Sequence, residues 1–283
     1  MPYLGRVTSP SAIQLRATGL VAGYRRATVV HGVDVALRAG CVTALIGPNG
    51  SGKSTLLRSM ADLHSPSDGR VELGDGTPVS ELSGRDLATR LTLLSQSRSV
   101  PGGVSVREVV EYGRHPHRAR WSGSDPDGHA VVERVMAMCG VDELAGRPVD
   151  ALSGGQLQRV WLASCLAQDT AVLLLDEPTT FLDLRYQVEL LDTVRDLADH
   201  HGIAVGVVLH DLDQAAAIAD EIVLLVDGRV DAAGTPAEVL TSERLSAAYG
   251  IRVDVAVDPA TGHVRTRAVA RHHTRATTSK ENP

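Results

Sequence analysis

The sequence predicts an α/β fold built on a largely parallel sheet. Short apolar runs alternate with longer stretches of helical periodicity along most of the chain, the pattern of helices packed on sheet faces. Runs at residues 42–46, 171–175, 203–209 and 222–226 are apolar without alternation, as strands covered on both faces must be. The first of them feeds a Gly-rich turn that opens a helix.

In chain order, residues 13–20 and 29–37 read as strands, 42–46 as a buried strand, 53–63 as a helix and 91–95 as another apolar strand. From about 97 to 152 Pro, Gly, His and Arg become frequent, strand signals fade, and 104–112 and 128–138 look helical; this is a helical insertion. Helix continues over 157–167, and the strand at 171–175 precedes a long amphipathic helix. There Leu184, Val188, Leu191, Val194 and Ala198 share one stripe, which reads as core packing. After the strands at 203–209 and 222–226, residues 252–257 and 263–269 flank Asp258-Pro259-Ala260-Thr261-Gly262, a hairpin signal. No internal repeat is found, which excludes a solenoid.

A length of 283 residues allows one large domain or two small ones, and 43% hydrophobic with 22% charged content is ordinary globular composition. No apolar run approaches the roughly 18 residues of a membrane span. The first 20 residues lack a basic head followed by an apolar stretch, so no secretory signal is expected. Cys41, Cys139 and Cys165 stand too far apart for metal-ligand spacing and read as the reduced thiols of a cytosolic protein. The histidines of His115-Pro116-His117 read as a solvated or partner-contacting loop rather than a metal site. The net charge of −6 argues against nucleic acid as the main partner. Arg265, Arg267, Arg271, Arg275 and Lys280 against Glu281 make residues 264–283 basic, and a frayed, solvated tail is expected there. Lys53 and Lys280 are the only lysines among 28 Lys and Arg residues.

Three motifs carry chemistry. Gly47-Pro48-Asn49-Gly50-Ser51-Gly52-Lys53-Ser54-Thr55 fits G-x-x-x-x-G-K-[ST] between a strand and a helix, a phosphate-binding loop. Its glycines let backbone N–H groups turn inward, and the helix N-terminus adds positive potential. Lys53 supplies a compact ammonium for the β- and γ-phosphates, and Ser54 a hydroxyl for Mg²⁺. The apolar strand 171–175 ends in Asp176-Glu177; beside the loop in a parallel sheet, Asp176 would lie near that metal and Glu177 would face the γ-phosphate, placed to deprotonate water. Leu152-Ser153-Gly154-Gly155-Gln156 precedes a helix with Ser153 as its N-cap. It is either a plain capped helix or a cradle for a phosphate supplied by another subunit.

This order of motifs resembles an ATP-binding-cassette (ABC) ATPase subunit over roughly residues 13–250. The resemblance implies a P-loop NTPase (RecA-like) core with an antiparallel β subdomain and a helical insertion subdomain at about 97–165. It places a single ABC ATPase domain at 13–263 and a basic, disordered tail at 264–283. The implied cofactors are ATP and Mg²⁺. Glu177, His210 and Gln96 would be catalytic, His210 touching the γ-phosphate and Gln96 coupling metal and water to a membrane partner. Ser54, Gln96 and Asp176 would hold the metal. Tyr24 resembles the aromatic that stacks on adenine, and residues 47–55 would hold the phosphates. Ser153, Gly154, Gly155, Gln156 and Asp183 would complete the ATP site across a head-to-tail dimer, whether of identical or related subunits. Taken singly, Tyr24, Gln96 and His210 are ordinary packing, surface and polar residues; the shared order gives them roles.

The resemblance further implies a peripheral protein on the cytoplasmic face of the cell membrane. It would drive a separate integral permease and serve a substrate-binding protein indirectly, without nucleic acid. Gly113-Arg114-His115-Pro116-His117 and Thr179-Thr180-Phe181-Leu182-Asp183-Leu184 resemble the ATPases of iron–siderophore, haem and cobalamin importers, with His115 standing where an aromatic is expected. Ferric siderophore is the first expectation, haem and cobalamin the alternatives. A non-transport cassette ATPase of DNA repair, chromosome maintenance or translation fits less well: no coiled coil splits the motifs and only one cassette is present. A small-molecule P-loop kinase leaves residues 152–156 unexplained.

Overall fold

A computed structural model describes residues 12–24, 27–96, 102–118 and 123–270. The elements run β1 (Ile13–Tyr24), β2 (Ala27–Arg38), β3 (Val42–Ile46), α1 (Lys53–Met60), β4 (Asp68–Leu73), α2 (Gly84–Ala88) and β5 (Leu91–Leu94). Then come α3 (Val106–Tyr112), α4 (Gly128–Met138), α5 (Gly154–Leu166), β6 (Val172–Asp176), α6 (Leu184–His201), β7 (Ala204–Val208) and α7 (Leu212–Ile218). The chain closes with β8 (Glu221–Val226), β9 (Arg229–Gly234), α8 (Pro236–Val239), α9 (Ser242–Tyr249), β10 (Val253–Val257) and β11 (Val264–Ala268).

Six strands form the central sheet in the order β5-β6-β7-β3-β8-β9. All neighbours are parallel except β8 and β9. Every residue of β3, β6 and β7 is buried, which is why these strands are apolar without alternation. Alternate side chains of β3 enter different cores: Val42, Ala44 and Ile46 join the helical side, Leu45 the side of α1 and the antiparallel sheet β2-β1-β4. The sheet therefore sets the carboxyl end of β3 two strands from that of β6, across β7.

Between β5 and β6 the described residues carry α3, α4 and α5; positions 97–101, at the expected start of the helical segment, lie outside them. These helices pack on the helical side of the sheet, with Cys139 and Cys165 buried among them. Burial pushes the Cys139 thiol up to about 12, which makes it an inert core side chain. Arg114 ties the insertion together. Its Nε and Nη2 donate to both oxygens of Asp125 at 2.7 and 2.9 Å, and its Nη1 donates to the carbonyl of Ala167 at 2.9 Å. His117 Nε2 lies 2.6 Å from the carbonyl of Gln168, so this ring braces the end of α5 instead of being fully solvated.

Three expectations need correction. Leu191, Val194 and Ala198 of the α6 stripe are core, but Leu184 and Val188 are 76% and 49% exposed. With Phe181, 96% exposed, they form an apolar surface at the start of α6. Residues 264–268 are not a frayed tail. They are β11, paired in register with β10, and Arg267 Nη2 reaches Asp254 at 2.9 Å. Arg271, Arg275, Lys280 and Glu281 lie outside the described residues. Finally, β4 and β9 are strands where the sequence pattern predicts none.

Candidate active site

The turn between β3 and α1 builds the floor of a cleft. Gly47 adopts φ +140°, and a Cβ there would sit 2.0 Å from the carbonyl oxygen of Leu225, so only glycine lets β3 leave the sheet beside β8. Gly52 caps α1 from the left-handed region, and no side chain occupies the cap, leaving the first N–H groups of the helix free for an anion. Lys53 is only 5% exposed. Its Nζ donates to the carbonyls of Gly47 and Pro48 at 2.8 and 2.9 Å, which folds the ammonium back over the loop. Burial lowers its pKa below the ordinary lysine value, opposed by the negative charges of Glu177 and Asp176.

Parallel pairing brings the end of β6 beside this loop. Asp176 is 1% exposed; its Oδ1 accepts from Ser54 Oγ at 2.6 Å, and its Oδ2 lies 3.4 Å from Arg58 Nη2. Ser54 and Arg58 are one helical turn apart on α1, so a single face of α1 grips one carboxylate. Glu177 sits at φ +54°, a left-handed conformation that costs a non-glycine residue about 1 kcal/mol or more. Both its carboxylate oxygens are engaged. Oε2 accepts from Gln96 Nε2 at 2.6 Å, and Oε1 lies 2.6 Å from His210 Nε2. Gln96 follows the end of β5 and His210 follows β7, so three adjacent strands of one sheet deliver this cluster. The cleft, about 420 Å³, is lined by Val29, Asn49, Gly50, Gly52, Lys53, Ser54, Thr55, Gln96, Glu177 and His210.

The donors present suit a small hard cation. The Ser54 hydroxyl, the Asp176 carboxylate and the amide oxygen of Gln96, whose nitrogen is turned to Glu177, are all oxygen ligands. No cluster of three His, Cys, Asp or Glu side chains able to hold a metal exists among the described residues. Such a set is incomplete by itself, as it is where Mg²⁺ shares its ligands with phosphates and water. Ser51 Oγ is buried without a partner, a further polar atom in the phosphate loop.

Other predicted site residues lie elsewhere. Tyr24 is not a lining residue of this cleft; it is half exposed and its ring stacks on His64 with centroids 4.4 Å apart. Ser153 caps α5, accepting from the Gln156 N–H at 3.3 Å, while Gln156 Oε1 accepts from the Ser153 N–H at 3.1 Å. Gly154 opens the helix on the exposed side. Gly155 lies against Tyr186, where a Cβ would come within 2.5 Å of the ring. Asp183 caps α6, accepting from the Tyr186 N–H at 3.0 Å. Tyr186 thus sits between Gly155 and the Asp183 loop, and these residues make a second surface apart from the cleft. Val29 lines the cleft and Arg58 reaches Asp176, neither expected from the motifs. Arg58 was findable, since it follows Ser54 by four positions on one helix; Val29 had no signal.

Comparison with known proteins agrees with this geometry. The family model for ABC transporters matches residues 30–180. The ferric enterobactin transport ATP-binding protein of Escherichia coli (strain K12) is 41% identical over 255 residues, covering 89% of this chain and 93% of its own length. A cobalamin import ATP-binding protein of Halobacterium salinarum (strain ATCC 29341 / DSM 671 / R1) is 48% identical over 250 residues, 88% of this chain but 62% of that longer protein. Among solved structures, an inward-facing putative metal-chelate type ABC transporter superposes with a TM-score of 0.79 at 27% identity, covering 92% of this chain and 98% of that one. With its phosphate loop, its Asp176-Glu177 strand end and its capped Ser153 helix in one fold, the chain belongs to the ABC transporter family as an ATP-binding, ATP-hydrolysing subunit.

Proposed function

We propose that this chain is the ATPase of a membrane importer for ferric siderophores, working as a dimer on a separate integral permease at the cytoplasmic face. The observation that carries the catalytic part is the Glu177 carboxylate held between Gln96 and His210 at the mouth of the phosphate loop. The cargo reading rests on the 41% identity to a ferric enterobactin ATPase over nearly its whole length. No helix among the described residues is long and apolar enough to cross a membrane, so the translocation path would come from the permease.

Lys53 exchanges its two backbone carbonyls for phosphate oxygens, an exchange favoured because its buried ammonium then meets full negative charge. Ser54, Asp176 and Gln96 would hold Mg²⁺, which would supply charge neutralisation and a template for the phosphates. His210 leaves Glu177 Oε1 for the γ-phosphate, freeing that oxygen to take a proton from the attacking water. Gln96 stays on Oε2 and orients the carboxylate. Ser153, Gly155 and Asp183 of one subunit close the cleft of the other and exclude bulk water.

The cargo is tested by radiolabelled iron uptake in a strain deleted for this protein and for redundant uptake systems. Loss of ferric-siderophore uptake, restored by the intact chain, is expected. Unchanged siderophore uptake with lost haem or cobalamin uptake would reassign the cargo.

A further inference from the structure

The loop after Glu177 and the helix after His210 are joined through Thr179 and two glutamines, Gln187 and Gln214, that lie outside every motif considered so far. Thr179 Oγ1 donates to Gln214 Oε1 at 3.1 Å, and Gln214 Nε2 donates to Gln187 Oε1 at 2.8 Å. Gln187 Nε2 in turn donates to the carbonyl of Leu182 at 3.0 Å and approaches that of Thr179 at 3.4 Å. The direction of each bond is forced. Backbone carbonyls only accept, so Gln187 must turn its nitrogen to them. Its oxygen then faces Gln214, which must offer nitrogen there and keep its own oxygen for the Thr179 hydroxyl. Flipping either amide would set oxygen against oxygen, so the network has one arrangement.

Its two ends are functional segments. Residues 179–183 lead from the strained Glu177 to Asp183. Gln214 is four positions after His210, and its N–H is fixed at 3.0 Å by the Asp211 carboxylate that caps α7. We propose that Gln187 and Gln214 are positioning residues for ATP hydrolysis, holding the Asp183 loop in register with His210. Contact of a second subunit at Asp183 then sets the His210 ring and Glu177 together; without the two amides, loop and ring move independently. This rests on the roles given to Glu177 and His210 above.

The test is steady-state ATP hydrolysis by the full chain carrying Gln187→Leu, Gln214→Leu or both, with Glu177→Gln alongside. The expected result is a kcat about tenfold lower in each single variant, the alignment lost with a neutral hydrogen bond. KM for ATP should stay within about twofold, and the double variant should be no slower than either single one. Gln214→Glu keeps the acceptor for Thr179 and a similar volume but sets carboxylate against Gln187 Oε1. It should be slowed as much as the leucine variant, and it decides the matter if the leucine variants fail to fold. A kcat within twofold of the parent, losses that multiply in the double variant, or KM rising in step with the loss overturns the proposal. Full turnover by Glu177→Gln would instead overturn the reading beneath it.

Discussion

Arg114→Ala should destabilise the protein by about 3 kcal/mol through one named mechanism. The Arg114 side chain is 6% exposed and that of Asp125 12%. Truncation strips two charge-assisted bonds from the Asp125 carboxylate and one from the carbonyl of Ala167. Removing one partner of a buried ion pair costs about 3–5 kcal/mol; the residual water access of Asp125 favours the low end. With an unfolding entropy of about 2.1 cal/mol/K per residue, a chain of 283 residues should lose about 5 °C in melting temperature. Differential scanning calorimetry of the full chain at neutral pH measures it. Adding Asp125→Ala should recover part of the loss, because the stranded carboxylate is then gone. The pH dependence has a definite sign. The Arg114 hydrogen bonds hold the Asp125 pKa below the usual aspartate value. Their stabilisation is therefore complete above about pH 3.9 and is lost as pH falls through the lower folded-state value. The gap between parent and variant should narrow below about pH 4. A melting shift under 1 °C, or a double variant less stable than the single, would refute this reasoning.

Lys53→Arg should weaken ATP use about 10- to 100-fold, the worth of one or two charge-assisted bonds. A wide guanidinium does not fit where a buried ammonium lies 2.8 and 2.9 Å from two carbonyls; nucleotide titration and hydrolysis rates measure the loss. Phe181→Ser with Leu184→Gln should change thermal stability by no more than about 0.5 kcal/mol, because both side chains are exposed. The same pair should weaken ATP-dependent self-association, read by light scattering. A large drop in melting temperature would return them to the core.

The fold was legible where burial leaves composition no freedom. β3 is buried on both faces and its bounds are those the apolar run predicts. β4 was hidden because its first three residues, Asp68, Gly69 and Arg70, are exposed at the rim of the antiparallel sheet, and β9 because a Gly- and Ala-rich edge strand carries little pattern. Helical periodicity located the stripe of α6, but a stripe states only which residues share a face. Whether Leu184 and Val188 meet this chain's core or another surface depends on where the helix begins to touch the sheet. Within the site, the phosphate loop, Asp176 and Glu177 follow from strand ends in a parallel sheet. Gln96 and His210 needed the order of motifs to stand out, and the structure brings both onto Glu177. Tyr24, expected against adenine from the order of motifs, is half exposed with its ring against His64. Gln187 and Gln214 left no trace in the sequence, because a directed amide network depends on three-dimensional placement alone.

In the proposed mechanism Glu177 is the base, restrained by Gln96 and His210 until ATP draws His210 away. Glu177→Gln keeps the size of the side chain but removes its basicity, and one of the two facing N–H donors meets an amide nitrogen instead of an acceptor. Hydrolysis and oligomeric state should be measured together, by phosphate release and light scattering in Mg-ATP. The predicted result is turnover reduced about 10²- to 10⁴-fold with ATP-bound dimer accumulating. Turnover at the parent rate, with no dimer trapped, would contradict the account.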